Sequence, residues 1–112
     1  MTARFTEDEA IAAVSRLTRT RLVAFLEAEL VVPVQSASGP VFYQIDLARI
    51  ELLCDLADHF DLKGDALGVV MSLIDQLHTA RHSLHAIAEA LQAEPAEVRQ
   101  RVGARLVEGL TR

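Results

Sequence analysis

The chain has 112 residues and carries 11 Lys and Arg against 16 Asp and Glu, a formal net charge of −5 at pH 7. That is the length of one ordinary domain, and 51% hydrophobic residues fill its core without disulfides or metal, which excludes a disordered chain. The negative balance also excludes broad nucleic-acid binding, whose sequence-independent part comes from cations displacing counterions from phosphates.

With 17 Ala, 16 Leu and five aromatics (Phe5, Phe25, Phe42, Tyr43, Phe60), the composition favours helices over a β-sandwich. Thr6 and Glu9 have capping-box spacing, with Phe5 and Ala10 as the flanking staple, and predict a short helix over 7–14. Thr18 is the next N-cap, opening a helix with Leu22, Phe25 and Leu26 on one face and ending near Glu29. Two short helices with a tight link suggest a helix-turn-helix. Val31 to Val34 and Val41 to Ile45 are β-branched or aromatic and bracket the turn-rich run from Gln35 to Pro40, which reads as a small hairpin, or wing. Pro33 fits there only with its missing N–H toward solvent.

Asp46 is expected to cap a third helix running through Phe60, with Leu47, Ile50, Leu53, Cys54, Ala57 and Phe60 buried. Residues 61–65 break it, and Asp65 caps a long helix over 66–91. Along that helix Leu67, Val70, Ile74, Leu77, Arg81, Leu84, Ala88 and Leu91 form a heptad seam flawed at Arg81. A second apolar row, Val69, Leu73, Ala80 and Ile87, predicts packing against more than one neighbour. Glu94 caps a last helix over 94–110 with Pro95 at its first position and Val98, Val102, Leu106 and Leu110 as its apolar line. The fold class expected is all-α with a small β-hairpin wing: a single domain over 1–112, with a winged-helix part over 6–60 followed by the long and C-terminal helices.

The single Cys54 excludes an intramolecular disulfide framework and a Cys-rich zinc module, and suits a reducing compartment. Glu7, Asp8 and Glu9 stand where a leader would be basic and then apolar, and no apolar run approaches the ~18 residues of a membrane span. The expectation is a cytoplasmic protein. No glycine-rich phosphate loop, nucleophile elbow, zinc-protease motif or Cys-x-x-Cys occurs, so no catalytic residue, cofactor or enzyme activity is predicted.

The order of elements resembles the MerR-type winged helix, and more specifically the CbpM family of chaperone-modulatory proteins. The residues that carry it are Leu30-Val31-Val32-Pro33, Asp46-Leu47-Ala48-Arg49-Ile50-Glu51-Leu52-Leu53, and the run from Gly68 to Leu77, within a match over residues 5 to 91. The resemblance implies a cytoplasmic regulator that binds the J-domain of a CbpA-type, DnaJ-like co-chaperone, blocks its stimulation of an Hsp70 ATPase and inhibits its association with nucleoid DNA. DNA-binding MerR members place an Arg followed by an aromatic in the second helix and an Arg in the wing. This chain has Val23-Ala24 and Pro40-Val41-Phe42 there, and no Lys or Arg between Arg21 and Arg49. Only Arg16, Arg19 and Arg21 stand at the entrance of the expected DNA face, and residues 1 to 45 hold four Arg against five acids. A dimeric MerR-like transcriptional regulator is therefore the alternative, and an adaptor of the toxin-antitoxin kind a third reading. Cys54 lies well before the sensor cysteines of metal-responsive members.

Two side-chain constellations stand out. Glu51, Asp55 and Asp58, at i, i+4 and i+7, form an acidic stripe continued by Asp61 and Asp65. It is either a solvated face, relieved by His59, or the dock for a basic helix, with Leu52 and Leu56 as apolar anchors. A J-domain's basic second helix is the partner that the family resemblance implies. His78, His82 and His85 have spacing for a pair of metal ligands, but His78 and His85 stand about 10 Å apart along the axis, so a wet helix face is the expectation and no metal site is predicted. Ile74, Leu77, Arg81, Leu84 and Leu91 are candidates for self-association as a homodimer, with Arg81 setting register or snorkelling. Phe42 and Tyr43 read as core packing or partner contacts, and Cys54 as an inert buried thiol.

Overall fold

The computed structural model describes residues 3–111; Met1 and Thr2, part of the stretch weighed above as a leader, and Arg112 lie outside them. The protein is mostly helical, with five helices over the described residues and a small three-stranded antiparallel sheet. In chain order the elements are β1 (Arg4–Phe5), α1 (Glu7–Ala13), α2 (Arg19–Glu27), β2 (Val34–Ser36), β3 (Gly39–Tyr43), α3 (Gln44–His59), α4 (Gly64–Gln92) and α5 (Ala96–Leu110). Backbone contacts divide the chain into two compact units, Met1–Leu73 and Ile74–Arg112, a finer division than the single domain expected. Among the described residues no helix is long and apolar enough to cross a membrane.

In the first unit the caps work as their sequences require. The Glu9 N–H donates to the Thr6 hydroxyl at 3.2 Å while the Thr6 N–H donates to the Glu9 carboxylate at 3.0 Å, and the Thr18 hydroxyl accepts from the Arg21 N–H at 3.1 Å. Each bond satisfies a donor that the first helical turn leaves orphaned. The sheet differs from expectation. Val31 is buried in the core and Val32 is exposed, so the first hairpin strand starts only at Val34 and takes in Gln35 and Ser36. Ala37 and Ser38 alone make the turn; Ser36 pairs with Gly39, whose φ of 116° is one glycine adopts freely, and the Ser36 hydroxyl donates to the Gly39 carbonyl at 2.7 Å. Pro33 precedes the sheet, and Pro40 lies inside β3 opposite Gln35. Arg4 and Phe5 add a strand that was not foreseen, pairing with Tyr43 and Phe42 and making β3 central.

Helix α3 starts two residues before Asp46. That carboxylate is at the third helical position and reaches back to accept from the Tyr43 N–H at 2.8 Å, so it serves the same orphan donors from inside the helix. Leu47, Ile50, Leu53 and Cys54 are buried as expected, but Phe60 sits at the C-cap and is 69% exposed. Likewise α4 begins at Gly64, so Asp65 lies in its first turn rather than capping it. The core of this unit gathers Ala10, Val14 and Leu17 from α1 and its exit, Leu22 and Phe25 from α2, Val31, Phe42 from β3, the inner face of α3, and Leu67 and Met71 from α4.

Both α2 and α3 end on a residue with left-handed backbone that is not glycine, Glu29 (φ 58°) and Asp61 (φ 52°). After Glu29 the Leu30 N–H reaches back to the Phe25 carbonyl at 2.9 Å, the bond of a Schellman C-cap, and the Arg49 Nε donates to the Leu30 carbonyl. The left-handed conformation costs a residue with a Cβ about 1 kcal/mol relative to glycine. Glu29→Gly is therefore expected to raise stability by about 1 kcal/mol in urea unfolding, whereas Glu29→Ala, which keeps the Cβ, leaves it unchanged; equal effects of the two would contradict the strain.

In the second unit none of the residues 74–111 is buried. The expectation that the long helix packs against several neighbours is not met here. Ile74 and Leu91 are half-buried, while Leu77, Arg81, Leu84 and Ala88 of the seam are exposed. Pro95 is the N-cap of α5 rather than its first helical residue, because its carbonyl already accepts from the Val98 and Arg99 N–H groups at 3.0 and 3.1 Å while its own ψ of 153° is extended; Glu94 falls outside the helix.

Candidate protein-binding site

The acidic stripe of α3 is only partly open. The Arg16 guanidinium donates to Asp55 and lies 3.7 Å from Asp58, and Arg21 grips Asp58 with both terminal nitrogens, at 2.8 and 3.3 Å. Arg21 also donates to the Arg16 carbonyl at 3.3 Å, which ties the link between α1 and α2 to the same corner. His59 stands 3.9 Å from Asp55. Arg19 completes the set on the other side, bonded to Asp8 and, at 3.3 Å, to Glu7. The three arginines at the entrance of the expected DNA face are thus each matched to carboxylates of their own unit. Of the remaining stripe residues, Asp61 pairs with Lys63 at 3.5 Å, while Glu51 and Asp65 are exposed and make no ion pair among the described residues. Leu52 and Leu56 are half-buried.

The Arg21 hydrogen bond holds the Asp58 carboxyl below the usual carboxylate range, with the charges of Arg21 and Arg16 acting in the same direction. Since the folded-state pKa is the lower one, the pair's contribution to stability is present above the ordinary range near pH ~4 and is lost as pH falls through the folded value. Asp58→Asn is accordingly expected to lower the urea midpoint at pH 7 and to converge with wild type as pH falls through the folded value. A gap independent of pH would contradict this. Behind the pair, burial pushes the Cys54 thiol up, partly offset by its hydrogen bond from Arg21. The thiol is protonated at neutral pH and fully buried, so it is not a nucleophile.

Next to the Arg21–Asp58 pair lies an open groove of about 670 Å³ within the first unit. Its apolar lining comes from Ala24 and Phe25 on α2, Ala28 at its C-cap and Leu30 beyond it, Ala57 on α3, Leu62 and Leu67. Its charged lining is Arg21, Asp58, Asp61 and Lys63, two cations and two carboxylates. The left-handed residues Glu29 and Asp61 each precede a leucine that lines it, so the two helix exits help to build the groove. Asp58 and Asp61 belong to both groove and stripe. The groove is thus an apolar channel edged by the Arg21–Asp58 and Lys63–Asp61 pairs.

The structure therefore brings Asp55, Asp58, Arg16 and Arg21 together and places Asp58 and Asp61 on the groove. It leaves Glu51 and Asp65 outside these pairs. Sequence reasoning missed the groove, since Ala24 and Ala28 carry no chemical signal, and missed the partners of Asp55 and Asp58, since Arg16 and Arg21 are 39 and 37 residues away. On the long helix His78, His82 and His85 are exposed, and His85 pairs with Glu89 at 3.1 Å. No family model matches the chain, and no match was found among curated proteins or solved structures.

Proposed function

We propose that this protein is a cytoplasmic, protein-binding regulator that takes up a basic amphipathic helix in the groove between α2 and α3. Its partner in this reading is the J-domain of a CbpA-type, DnaJ-like co-chaperone, whose stimulation of an Hsp70 ATPase it blocks by competition. The partner class comes from the resemblance of residues 5 to 91 to the CbpM family. In this reading α1 and α2 are the helix-turn-helix, and β2 and β3 the wing, of a MerR-like fold turned to protein binding.

The observation that carries protein binding over DNA binding is the pairing of Arg16, Arg19 and Arg21 with Asp55, Asp58, Glu7 and Asp8. A phosphate backbone would have to break these pairs before finding a cation, and the first unit as a whole has six Lys and Arg against eleven Asp and Glu. A basic helix would share Asp58 and Asp61 with Arg21 and Lys63, but it is drawn rather than repelled by the unit's excess of carboxylates and finds apolar side chains on the floor.

The test is the ATPase of the Hsp70 encoded in the same genome, stimulated by its J-protein. Adding this protein is expected to return the stimulated rate to the basal rate near stoichiometric ratio, with the basal rate unchanged. A stimulated rate that stays constant in the presence of excess protein would overturn the reading.

A further inference from the structure

The two ion pairs that edge the groove are built differently. Asp58 accepts from both terminal nitrogens of Arg21, at 2.8 and 3.3 Å, and has Arg16 3.7 Å away. The side chains of Arg21 and Asp58 are only 28% and 35% exposed, and a two-pronged bond of this kind fixes both partners. Lys63 meets Asp61 through one contact of 3.5 Å, between side chains that are 79% and 84% exposed. Such a pair adds little in water, because solvent screens it and the long lysine stem loses freedom in making it.

The acid of this loose pair is the firmly placed half. The Phe60 and Leu62 N–H groups both donate to the Leu56 carbonyl, at 3.2 and 3.3 Å, and close α3 with Asp61 left-handed between them at φ 52°. The backbone therefore sets where the Asp61 carboxylate leaves the chain, next to Leu62 of the apolar lining. The Lys63 ammonium stands at the end of a flexible four-carbon stem.

We infer that Lys63 is a tethered stand-in for a cation of the partner: a basic side chain of the docked helix takes over Asp61, Lys63 swings into water, and Arg21 keeps Asp58. This rests on the reading of the groove as the dock for a basic helix, and it names the carboxylate that carries the contact and the side chain that opposes it. Taking Asp61 costs the chain one weak contact, whereas taking Asp58 would break a bidentate bond and strand Arg21 on the groove. The stand-in also gives selectivity. A cation without an apolar face gains too little at Asp61 to displace Lys63, while a helix that covers Leu62, Leu67 and Phe25 at the same time gains enough.

The test is titration of the full chain into the isolated J-domain, with four variants beside the wild type. Lys63→Ala is expected to tighten binding about threefold and Lys63→Glu about tenfold, and both gains should vanish at ~0.5 M salt, where charges are screened within a few ångströms. Asp61→Asn should weaken binding about tenfold, and in its background Lys63→Ala should bring no gain, because no carboxylate is left to compete for. Both positions are exposed and Asn adopts the left-handed backbone as readily as Asp, so the fold is kept. Wild-type binding with Lys63→Ala unchanged or weaker, or with its gain retained beside Asp61→Asn, would overturn this inference alone. No binding by the wild type would overturn the partner reading and this inference with it.

Discussion

Phe42→Ala is expected to cost about 3–5 kcal/mol, the ordinary price of emptying a fully buried aromatic site. Phe42 is wholly buried on the central strand, paired across β1 with Phe5, and both α1 and α3 approach the strand that carries it. The loss is a large part of the 5–15 kcal/mol that a domain has in hand, so thermal unfolding followed by circular dichroism should fall by roughly 12 °C or more. Phe60→Ala is the comparison, because Phe60 was expected in the core from its helical phase yet is 69% exposed. It should change stability by no more than about 0.5 kcal/mol. Equal effects at the two sites would contradict the description of the core.

Ala24→Arg combined with Ala28→Arg is expected to weaken J-domain binding at least 100-fold, equivalent to about 2.7 kcal/mol. Both alanines are exposed and line the groove, Ala24 on α2 and Ala28 at its C-cap, and a long polar side chain at an exposed position of either kind leaves the fold preserved. The two guanidinium groups would fill the channel and set like charge against a basic helix. Ala104→Arg, exposed on α5, should leave binding unchanged. If the two groove substitutions also leave it unchanged, the partner docks elsewhere. If DNA binding appears in their presence, the arginines missing from the native α2 are what hold the unsubstituted protein off phosphate.

Helices were legible in this sequence wherever a cap and an apolar period agreed. Thr6 with Glu9 and Thr18 marked α1 and α2, and the buried phase of α3 was read correctly at Leu47, Ile50, Leu53 and Cys54. Helix starts went astray where an acid in the first turn mimics a cap: Asp46 and Asp65 both lie inside their helices. The sheet was only half legible. Pro40 and Gly39 look like turn residues but belong to β3, since a two-residue turn at Ala37 and Ser38 needs only the positive φ of Gly39 to close. Two residues, Arg4 and Phe5, are too few to show strand periodicity, and their pairing is decided by a partner 37 or more residues away.

The site shows the same division. The acidic stripe is visible because helical spacing is local, whereas its neutralisation by Arg16 and Arg21 is not, because nothing local links residues so far apart. The stripe alone would have assigned five acids to a partner, of which three, Asp55, Asp58 and Asp61, in the fold already share their charge with an arginine or a lysine. What the sequence pattern could not convey, the groove supplies: an apolar floor beside Asp58 and Asp61.

The most direct measurement is a calorimetric titration of the full chain into the isolated J-domain of the co-chaperone from the same genome, at physiological salt. The account predicts saturable binding at micromolar affinity or tighter, weakening as salt screens the acidic rim. Heat indistinguishable from dilution, together with salt-dependent binding to duplex DNA, would contradict it.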